Sequence, residues 1–238
     1  MKRICLWSGP RNISTALMYS FAQRSDTAVF DEPLYAHYLS KTNADTYHPG
    51  AREVLEDMEQ DGKKVVDMML GNHEKPVLFF KHMTHHLVEL DWSFMAETIN
   101  VILTRDPVDM LPSYAKEVAQ PSMRDVGYAK HVELLEYLEN AGLPAPYVLD
   151  SRKILDNPSE ALTALCAYIG IPFEDEMLQW EAGPRPEDGV WAPYWYDNVH
   201  RSTGFQPYKA KTTPFPEQLK GLLEECVPLY RRLLGGLR

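Results

Sequence analysis

Short apolar runs alternate with longer segments of helical periodicity along this chain, and this alternation restricts the folds open to it. The runs have the length and composition of β-strands. Strands that alternate with helices predict an α/β fold, with a central parallel sheet of about five strands flanked by helices on both faces. The five predicted strands are Arg3–Trp7, Thr27–Phe30, Val77–Phe80, Ile99–Leu103 and Tyr147–Leu149. A further run, Val65–Leu70, fits either a sixth strand or part of a helix.

Six segments have the periodicity of helices. Three of them begin near Pro107, Pro158 and Pro216, in positions where a helix tolerates proline. The predicted helices are Ser14–Gln23, Ala51–Gln60, Val108–Val118, Tyr128–Asn140, Ser159–Ile169 and Glu217–Leu234.

The size and composition of the chain predict a single domain over residues 1–238. With 238 residues, 45% of them hydrophobic, the chain can bury one substantial core. Periodicity is lost at about residues 180–216, where prolines and aromatic residues are frequent. A long irregular segment in a compact domain is typically a lid or binding loop, or else disordered, and the aromatic content favours order.

The charge balance narrows the classes of partner. The chain has 24 basic and 34 acidic residues, a net charge of −10, which disfavours nucleic acid or an anionic membrane as the main partner. The N-terminal apolar run is too short for a signal peptide or a membrane span. Cys5, Cys166 and Cys226 lie in apolar patterns and are expected to be packed thiols. We therefore expect a cytoplasmic protein.

The first predicted strand runs into a turn with the features of an anion-binding loop. Unpaired N–H groups and the helix dipole attract anions where the next helix begins. The Walker pattern is absent, but Arg11 stands where its lysine is expected and can grip a phosphate bidentately. Hydroxyl side chains at a helix start are as often only caps, so both interpretations stay open. The turn consists of Gly9, Pro10, Arg11, Asn12, Ile13, Ser14 and Thr15.

A second candidate for anion binding follows the predicted strand Ile99–Leu103. Arg105 stands at the carboxyl end of this strand, and Ser113 follows eight residues later on the next helix. Ligands of parallel sheets bind at the carboxyl ends of the strands. Both side chains are therefore expected to approach one phosphate.

These segments resemble the sulfotransferases that use 3′-phosphoadenosine 5′-phosphosulfate, a family with a P-loop-like fold. Arg11 to Thr15 is similar to the family's loop for the 5′-phosphosulfate, and Arg105 with Ser113 is similar to its pair for the 3′-phosphate. A third segment, "VLDSRKILDNPSEALTALCAYIGIPF", resembles the family's acidic, "NP" and "GIPF" segment. The resemblance covers about Arg3 to Phe173 and implies this nucleotide as co-substrate, without a metal.

Two departures from the family pattern bear on nucleotide binding. Ile13 stands where the family loop usually carries glycine, which leaves a less permissive backbone unless Gly9 supplies the flexibility. The family's C-terminal glycine-rich loop is echoed only by residues 200–205 and Lys209. Arg201 in this stretch is a candidate for the 3′-phosphate or for an acidic acceptor.

The resemblance also implies a base that deprotonates the acceptor. Glu32 in "VFDEPLYAHYL" is similar to the "F-E-P-L-Y-H" glutamate of carbohydrate-type members, and we predict it as the base. Lys81 matches the lysine of a Lys-Thr-His strand end and is expected to stabilise the bridging oxygen or the sulfuryl group. His82 or His85 is the reserve base, although strict alignment puts His82 on the threonine. Arg11 is counted among the catalytic residues.

The expected function is transfer of a sulfuryl group to a hydroxyl or amine of a small-molecule or lipid acceptor. The aromatic residues of the irregular segment at about 180–216 form a cluster. This cluster is equally consistent with the wall of an acceptor pocket, with adenine stacking and with a satellite core. A non-catalytic nucleotide-binding protein, or a P-loop kinase or hydrolase, is the alternative function. A homodimer is the default oligomer. The cluster comprises Trp191, Tyr194, Trp195 and Tyr196.

Overall fold

The predicted α/β architecture is confirmed by the computed structural model, which describes residues 1–118, 120–210 and 213–235. Five strands form one sheet in the order β2-β3-β1-β4-β5, and every neighbouring pair is parallel. The strands are β1 (Lys2–Ser8), β2 (Thr27–Asp31), β3 (Val77–Met83), β4 (Ile99–Thr104) and β5 (Tyr147–Asp150).

The two faces of the sheet form two separate hydrophobic cores, since successive side chains of a strand point to opposite faces. In β1, Ile4 and Leu6 pack in one core, and Cys5 and Trp7 pack in the other. All four side chains are fully buried. A strand buried on both faces reads as a continuous apolar run, which explains why the sequence reveals these strands.

Helices cover both faces of the sheet. Helices α1 and α9 pack over the face that carries Ile4, whereas α4, α5, α7 and α12 cover the face that carries Trp7. The helices are α1 (Ser14–Ala22), α2 (Tyr35–Lys41), α3 (Ala51–Asp57), α4 (Gly62–Leu70), α5 (Pro107–Tyr114), α6 (Met123–Val126), α7 (Tyr128–Asn140), α8 (Ser151–Asp156), α9 (Pro158–Ile169), α10 (Ala192–Trp195), α11 (Asp197–His200) and α12 (Lys220–Gly235).

The six predicted helices are present, and the bounds of α7 are as predicted. The ambiguous run Val65–Leu70 lies in α4. This helix begins after Asp61, whose carboxylate accepts a hydrogen bond from the Lys63 backbone N–H at 2.9 Å. This N-cap stabilises the start of the helix and lies outside the apolar run, so the run alone does not reveal it. Helices α2, α6, α8, α10 and α11 were not predicted from the sequence.

The aromatic-rich segment at about 180–216 contains the short helices α10 and α11. Residues 211 and 212 of this segment lie outside the described residues. Trp180 and Trp191 are buried in it. Trp191 belongs to a third hydrophobic cluster together with Tyr35 and Tyr38 of α2. The segment is thus packed onto the carboxyl end of the sheet.

The three cysteines are buried free thiols, as expected from their apolar surroundings. None of the helices in the described ranges combines the length and the apolar character that a membrane span requires.

Candidate active site

A cavity of about 440 Å³ opens at the carboxyl ends of β1, β2, β3 and β4. One side, the loop wall, consists of residues 9–16 with Arg105 and Ser113. A second group of lining residues, the aromatic wall, consists of Tyr35, His48, His85, His86, Tyr114, Trp191 and Trp195. Glu32, Lys81 and Tyr196 also line the cavity.

Gly9 begins the loop wall in a close approach between two backbone segments. A Cβ atom at this position would lie 2.8 Å from the Val126 carbonyl oxygen. Gly9 does not take a positive φ, so it does not supply the backbone flexibility that could compensate for Ile13. Arg11 and Ile13 take the left-handed conformation instead, with φ of 58° and 63°. A β-branched residue rarely adopts this conformation, so backbone strain lies at Ile13.

Ile13 is also the residue that precedes α1, which bears on the choice between helix cap and anion site. Its carbonyl accepts the N–H of Leu17 at 3.0 Å, and its side chain has no group that caps the helix. Ser14 and Thr15 are therefore the first two helical residues and not the cap. Both line the cavity at the start of α1, where the unpaired N–H groups of a helix attract anions.

Arg105 and Ser113 both line the cavity and are joined to each other through Arg11. Arg105 Nη1 donates to the Arg11 carbonyl at 2.6 Å, and Arg11 Nε donates to Ser113 Oγ at 3.3 Å. Asn12 ties the turn to β4 through a 3.1 Å hydrogen bond to the Leu103 carbonyl. Two guanidinium groups and the start of α1 thus face one side of the cavity.

Glu32 belongs to a buried hydrogen-bonded cluster at the end of β2. Lys81 Nζ lies 2.5 Å from Glu32 Oε1, 2.8 Å from Asp31 Oδ1 and 2.7 Å from Tyr196 Oη. These contacts engage all three N–H donors of the lysine. Lys81 is 1% exposed and Glu32 is 7% exposed. Lys81 therefore holds the two carboxylates in place.

Burial and charge shift the pKa values of this cluster in physically separable ways. Burial raises the pKa of Glu32, and the charge of Asp31 adds to the increase, whereas Lys81 opposes it. For Lys81, burial disfavours the ammonium, but Asp31 and Glu32 hold its pKa well above the ordinary value. Glu32 has the raised pKa that suits a general base.

The structure separates the three neighbouring histidines. His82 is fully buried outside the cavity and stacks on Trp7 with ring centroids 4.5 Å apart, because its side chain points into the core from β3. It is not placed to act as a base. His85 and His86 line the cavity, and burial lowers the pKa of His85 to about 3. His86 Nε2 lies 4.0 Å from Glu32 Oε2.

Only some of the C-terminal residues that were predicted to bind the nucleotide line the cavity. Ser202, Gly204 and Lys209 line it. Arg201 does not, because its exposed side chain pairs with Asp197 on the outer side of α11. The structure therefore brings Arg201 to neither the loop wall nor the cluster around Lys81.

Several lining residues were missed by the sequence analysis. Asp31, which binds Lys81 behind the cavity, had a readable signal, since it stands beside Glu32 at a strand end. Tyr35, His48 and Tyr114 had none, because only tertiary packing brings them to the cavity. Tyr194 of the predicted aromatic cluster is 49% exposed and donates to Glu53, whereas Trp191 is buried. Within the described ranges, no group of three or more histidine, cysteine and acidic residues has an arrangement that holds a metal ion.

The family model described as "Sulfotransferase domain" matches residues 1–235, and the chain belongs to the sulfotransferase family. Two Arabidopsis thaliana proteins named branched-chain-amino-acid aminotransferase-like proteins 2 and 1 are 43% and 44% identical over 235 and 234 residues. Each alignment covers 98% of this chain. The chain spans only 41% of the length of these relatives.

Solved structures of sulfotransferases share the fold. The sulfotransferase domain from the curacin biosynthetic pathway has a TM-score of 0.59 at 16% identity, covering 95% of this chain and 97% of that chain. A sulfotransferase from Alicyclobacillus acidocaldarius has a TM-score of 0.60 at 13% identity, covering 99% of this chain and 95% of that chain. The predicted fold class is thus matched within the same family.

Proposed function

We propose that this chain transfers a sulfuryl group from 3′-phosphoadenosine 5′-phosphosulfate to a hydroxyl or amine of a small acceptor. The observation that carries the proposal is the position of a buried carboxylate, Glu32, in the same cavity as a cationic loop wall. A donor anion and an acceptor proton have separate binding partners in this arrangement.

The residues of the loop wall fit the nucleotide. The N–H groups at the start of α1, the hydroxyls of Ser14 and Thr15 and the guanidinium of Arg11 are suited to the phosphosulfate. Arg105 and Ser113 are suited to the 3′-phosphate. When bound, the nucleotide supplies the activated sulfuryl group, and the loop wall stabilises the charge that develops on its phosphate.

Glu32 is the proposed general base. As the acceptor oxygen bonds to sulfur, the bond between sulfur and the bridging oxygen breaks, and its electron pair stays on the phosphate. The acceptor proton moves to Glu32, whose Oε2 accepts none of the cluster's hydrogen bonds and lies 4.0 Å from His86 Nε2. Lys81 holds Glu32 in position.

The aromatic wall favours an uncharged acceptor. Its histidines are neutral at pH 7, because burial lowers the pKa values of His48, His85 and His86. The acceptor is therefore expected to bind through apolar and aromatic surface, with few charged contacts. A cytoplasmic location and a homodimer stay predictions, as does the assignment of residues 1–238 to one domain.

The proposal is tested by transfer of ³⁵S from the labelled nucleotide to a panel of small uncharged alcohols, phenols and amines. Wild type is expected to label at least one acceptor, and Glu32→Gln is expected to reduce the rate about 10²- to 10⁴-fold with unchanged nucleotide affinity. The exposed Glu74→Gln is the control. Nucleotide binding without labelling of any acceptor would favour the non-catalytic alternative, and a wild-type rate in Glu32→Gln would exclude this base.

A further inference from the structure

The cluster around Lys81 is closed by a part of the chain that lies far from β2 in sequence. Tyr196 O–H donates to Asp31 Oδ2 at 2.7 Å, and the Gly189 backbone N–H donates to the same oxygen at 3.1 Å. Trp191 Nε1–H donates to Tyr196 Oη at 3.1 Å. Through these hydrogen bonds, the described part of the aromatic-rich segment is linked to Glu32 by Asp31 and Lys81.

Tyr196 and Asp31 make several hydrogen bonds in this cluster, whereas Glu32 makes only one with it. Tyr196 Oη accepts from Lys81 and Trp191 and donates once, so its full capacity is used. Asp31 accepts three hydrogen bonds. Glu32 Oε1 accepts one from Lys81, and Oε2 accepts none of the cluster's hydrogen bonds. The arrangement leaves one oxygen of Glu32 available to an acceptor.

The charges around Glu32 come from every element packed against it. Asp31 on β2 is the like charge, and Lys81 on β3 is the opposite charge. Tyr196 contacts Lys81, His86 faces Oε2 as a neutral imidazole, and Tyr35 lies on the next helix. With Glu32 ionised, the cluster of two carboxylates and one ammonium has a net charge of −1, and uptake of a proton neutralises it.

We propose that Asp31 and Tyr196 are positioning residues that set the protonation and orientation of Glu32 through Lys81. Asp31 competes with Glu32 for the ammonium, and Tyr196 moderates that competition by donating to Asp31. The inference rests on the proposed function of Glu32 as base, but it makes predictions about Glu32 that need no turnover.

Substitutions at the two residues are expected to shift Glu32 in opposite directions. Asp31→Asn removes the like charge and leaves Lys81 to Glu32 alone, so the pKa of Glu32 falls by about one unit. Tyr196→Phe removes the donor to Asp31, which then attracts Lys81 more strongly, so the pKa of Glu32 rises by roughly half a unit. If the two residues had only a structural role, the two substitutions would not shift the pKa of Glu32 in opposite directions.

The first experiment is a ¹³C NMR titration of the full chain labelled at the glutamate carboxyl carbons. The Glu32 signal is assigned by its loss in Glu32→Gln. Tyr194→Phe is the matched control, because this tyrosine is two residues from Tyr196 but is exposed, and its hydroxyl donates to Glu53. It is expected to keep the wild-type midpoint. Unchanged midpoints in both test variants, within about 0.2 unit, would overturn the proposal.

The second experiment measures the pH profile of ³⁵S transfer. The acid limb is expected to move to lower pH in Asp31→Asn and to higher pH in Tyr196→Phe, and the apparent KM for the nucleotide stays within about twofold. If Asp31→Asn does not fold, the shift in Tyr196→Phe alone decides. A wild-type profile in a folded Tyr196→Phe would contradict the inference. Shifted midpoints without any transfer by wild type would contradict the proposed function and leave the positioning network intact.

Discussion

The two walls of the cavity are built in different ways. The loop wall is mostly contiguous in sequence, and its character comes from the backbone at residues 9–16, including the left-handed Arg11 and Ile13. The aromatic wall is assembled from segments as distant as Tyr35 and Trp191, and its character comes from buried side chains. The rings of these two residues pack edge to face with centroids 5.1 Å apart.

This difference separates two kinds of requirement. Binding an anion needs N–H groups in a fixed geometry, which a short turn can supply at the expense of strain. Excluding water from an acceptor needs apolar area, which only tertiary packing supplies. The loop wall should therefore respond to changes in backbone conformation, and the aromatic wall should respond to changes in burial and protonation.

The largest expected effect is a loss of stability in acid that originates in buried histidines. Burial lowers the pKa of His85 to about 3 and that of His131 to about 4. Because the unfolded chain binds protons at its ordinary histidine pKa of about 6.5, stability is complete above that pH and decreases as pH falls toward the folded values. Each such histidine contributes a slope of up to about 1.4 kcal/mol per pH unit.

The comparison is made by chemical denaturation of wild type and His85→Phe between pH 7 and pH 5. His85→Phe is expected to flatten the pH dependence by up to about one proton. Tyr194→Phe, at an exposed tyrosine that does not titrate in this range, is the control and should keep the wild-type slope. A wild-type slope in His85→Phe would mean that the aromatic wall does not enclose a neutral imidazole.

Gly9→Ala tests whether the loop wall depends on a close backbone approach. The new Cβ would lie 2.8 Å from the Val126 carbonyl oxygen, so the turn must shift, and unfolding should require about 1–3 kcal/mol less free energy. Nucleotide affinity should fall with it. Gly221→Ala in α12 is the control, since nothing lies within 4 Å of its added Cβ. It should be neutral or slightly stabilising, and equal losses in both variants would remove this account of Gly9.

The smallest expected effect concerns the strain at Ile13. Glycine adopts the observed φ of 63° without penalty, whereas alanine does not. Ile13→Gly should therefore be more stable than Ile13→Ala by about 1 kcal/mol, the reverse of the order found at ordinary helical positions. Thermal unfolding of the two variants measures this difference. A higher stability of Ile13→Ala than of Ile13→Gly would show that the turn relaxes in solution.

The difference between the walls also explains what the sequence could predict. Local signals sufficed for β1, the turn after it and α7, because strand burial on both faces and helix periodicity are properties of neighbouring residues. They failed for α2 and for the role of Trp191, whose buried positions depend on each other across the chain. The outward position of Arg201 was not predicted either. It depends on an ion pair with Asp197 across α11, and this helix of four residues is too short to give a periodic pattern.

The position of Asp31 depends on contacts that are distant in sequence. The paired carboxylates at the end of β2 were visible in the sequence, but their partners Lys81 and Tyr196 are 50 and 165 residues away from Asp31. Which carboxylate faces the cavity is set by these contacts and by the left-handed φ of 46° at Glu32. No local pattern encodes that choice.

The most direct test of the central claim is calorimetric binding of 3′-phosphoadenosine 5′-phosphate and of ATP with Mg²⁺. We expect the 3′-phosphorylated nucleotide to bind wild type, and Arg105→Ala and Ser113→Ala to weaken it. Loss of the charged contact in Arg105→Ala should amount to roughly 1.5–3 kcal/mol, about tenfold to more than a hundredfold in affinity. The exposed Arg52→Ala should bind as wild type. Binding of ATP with Mg²⁺ alone, or of neither nucleotide, would contradict the assignment of the loop wall to this donor.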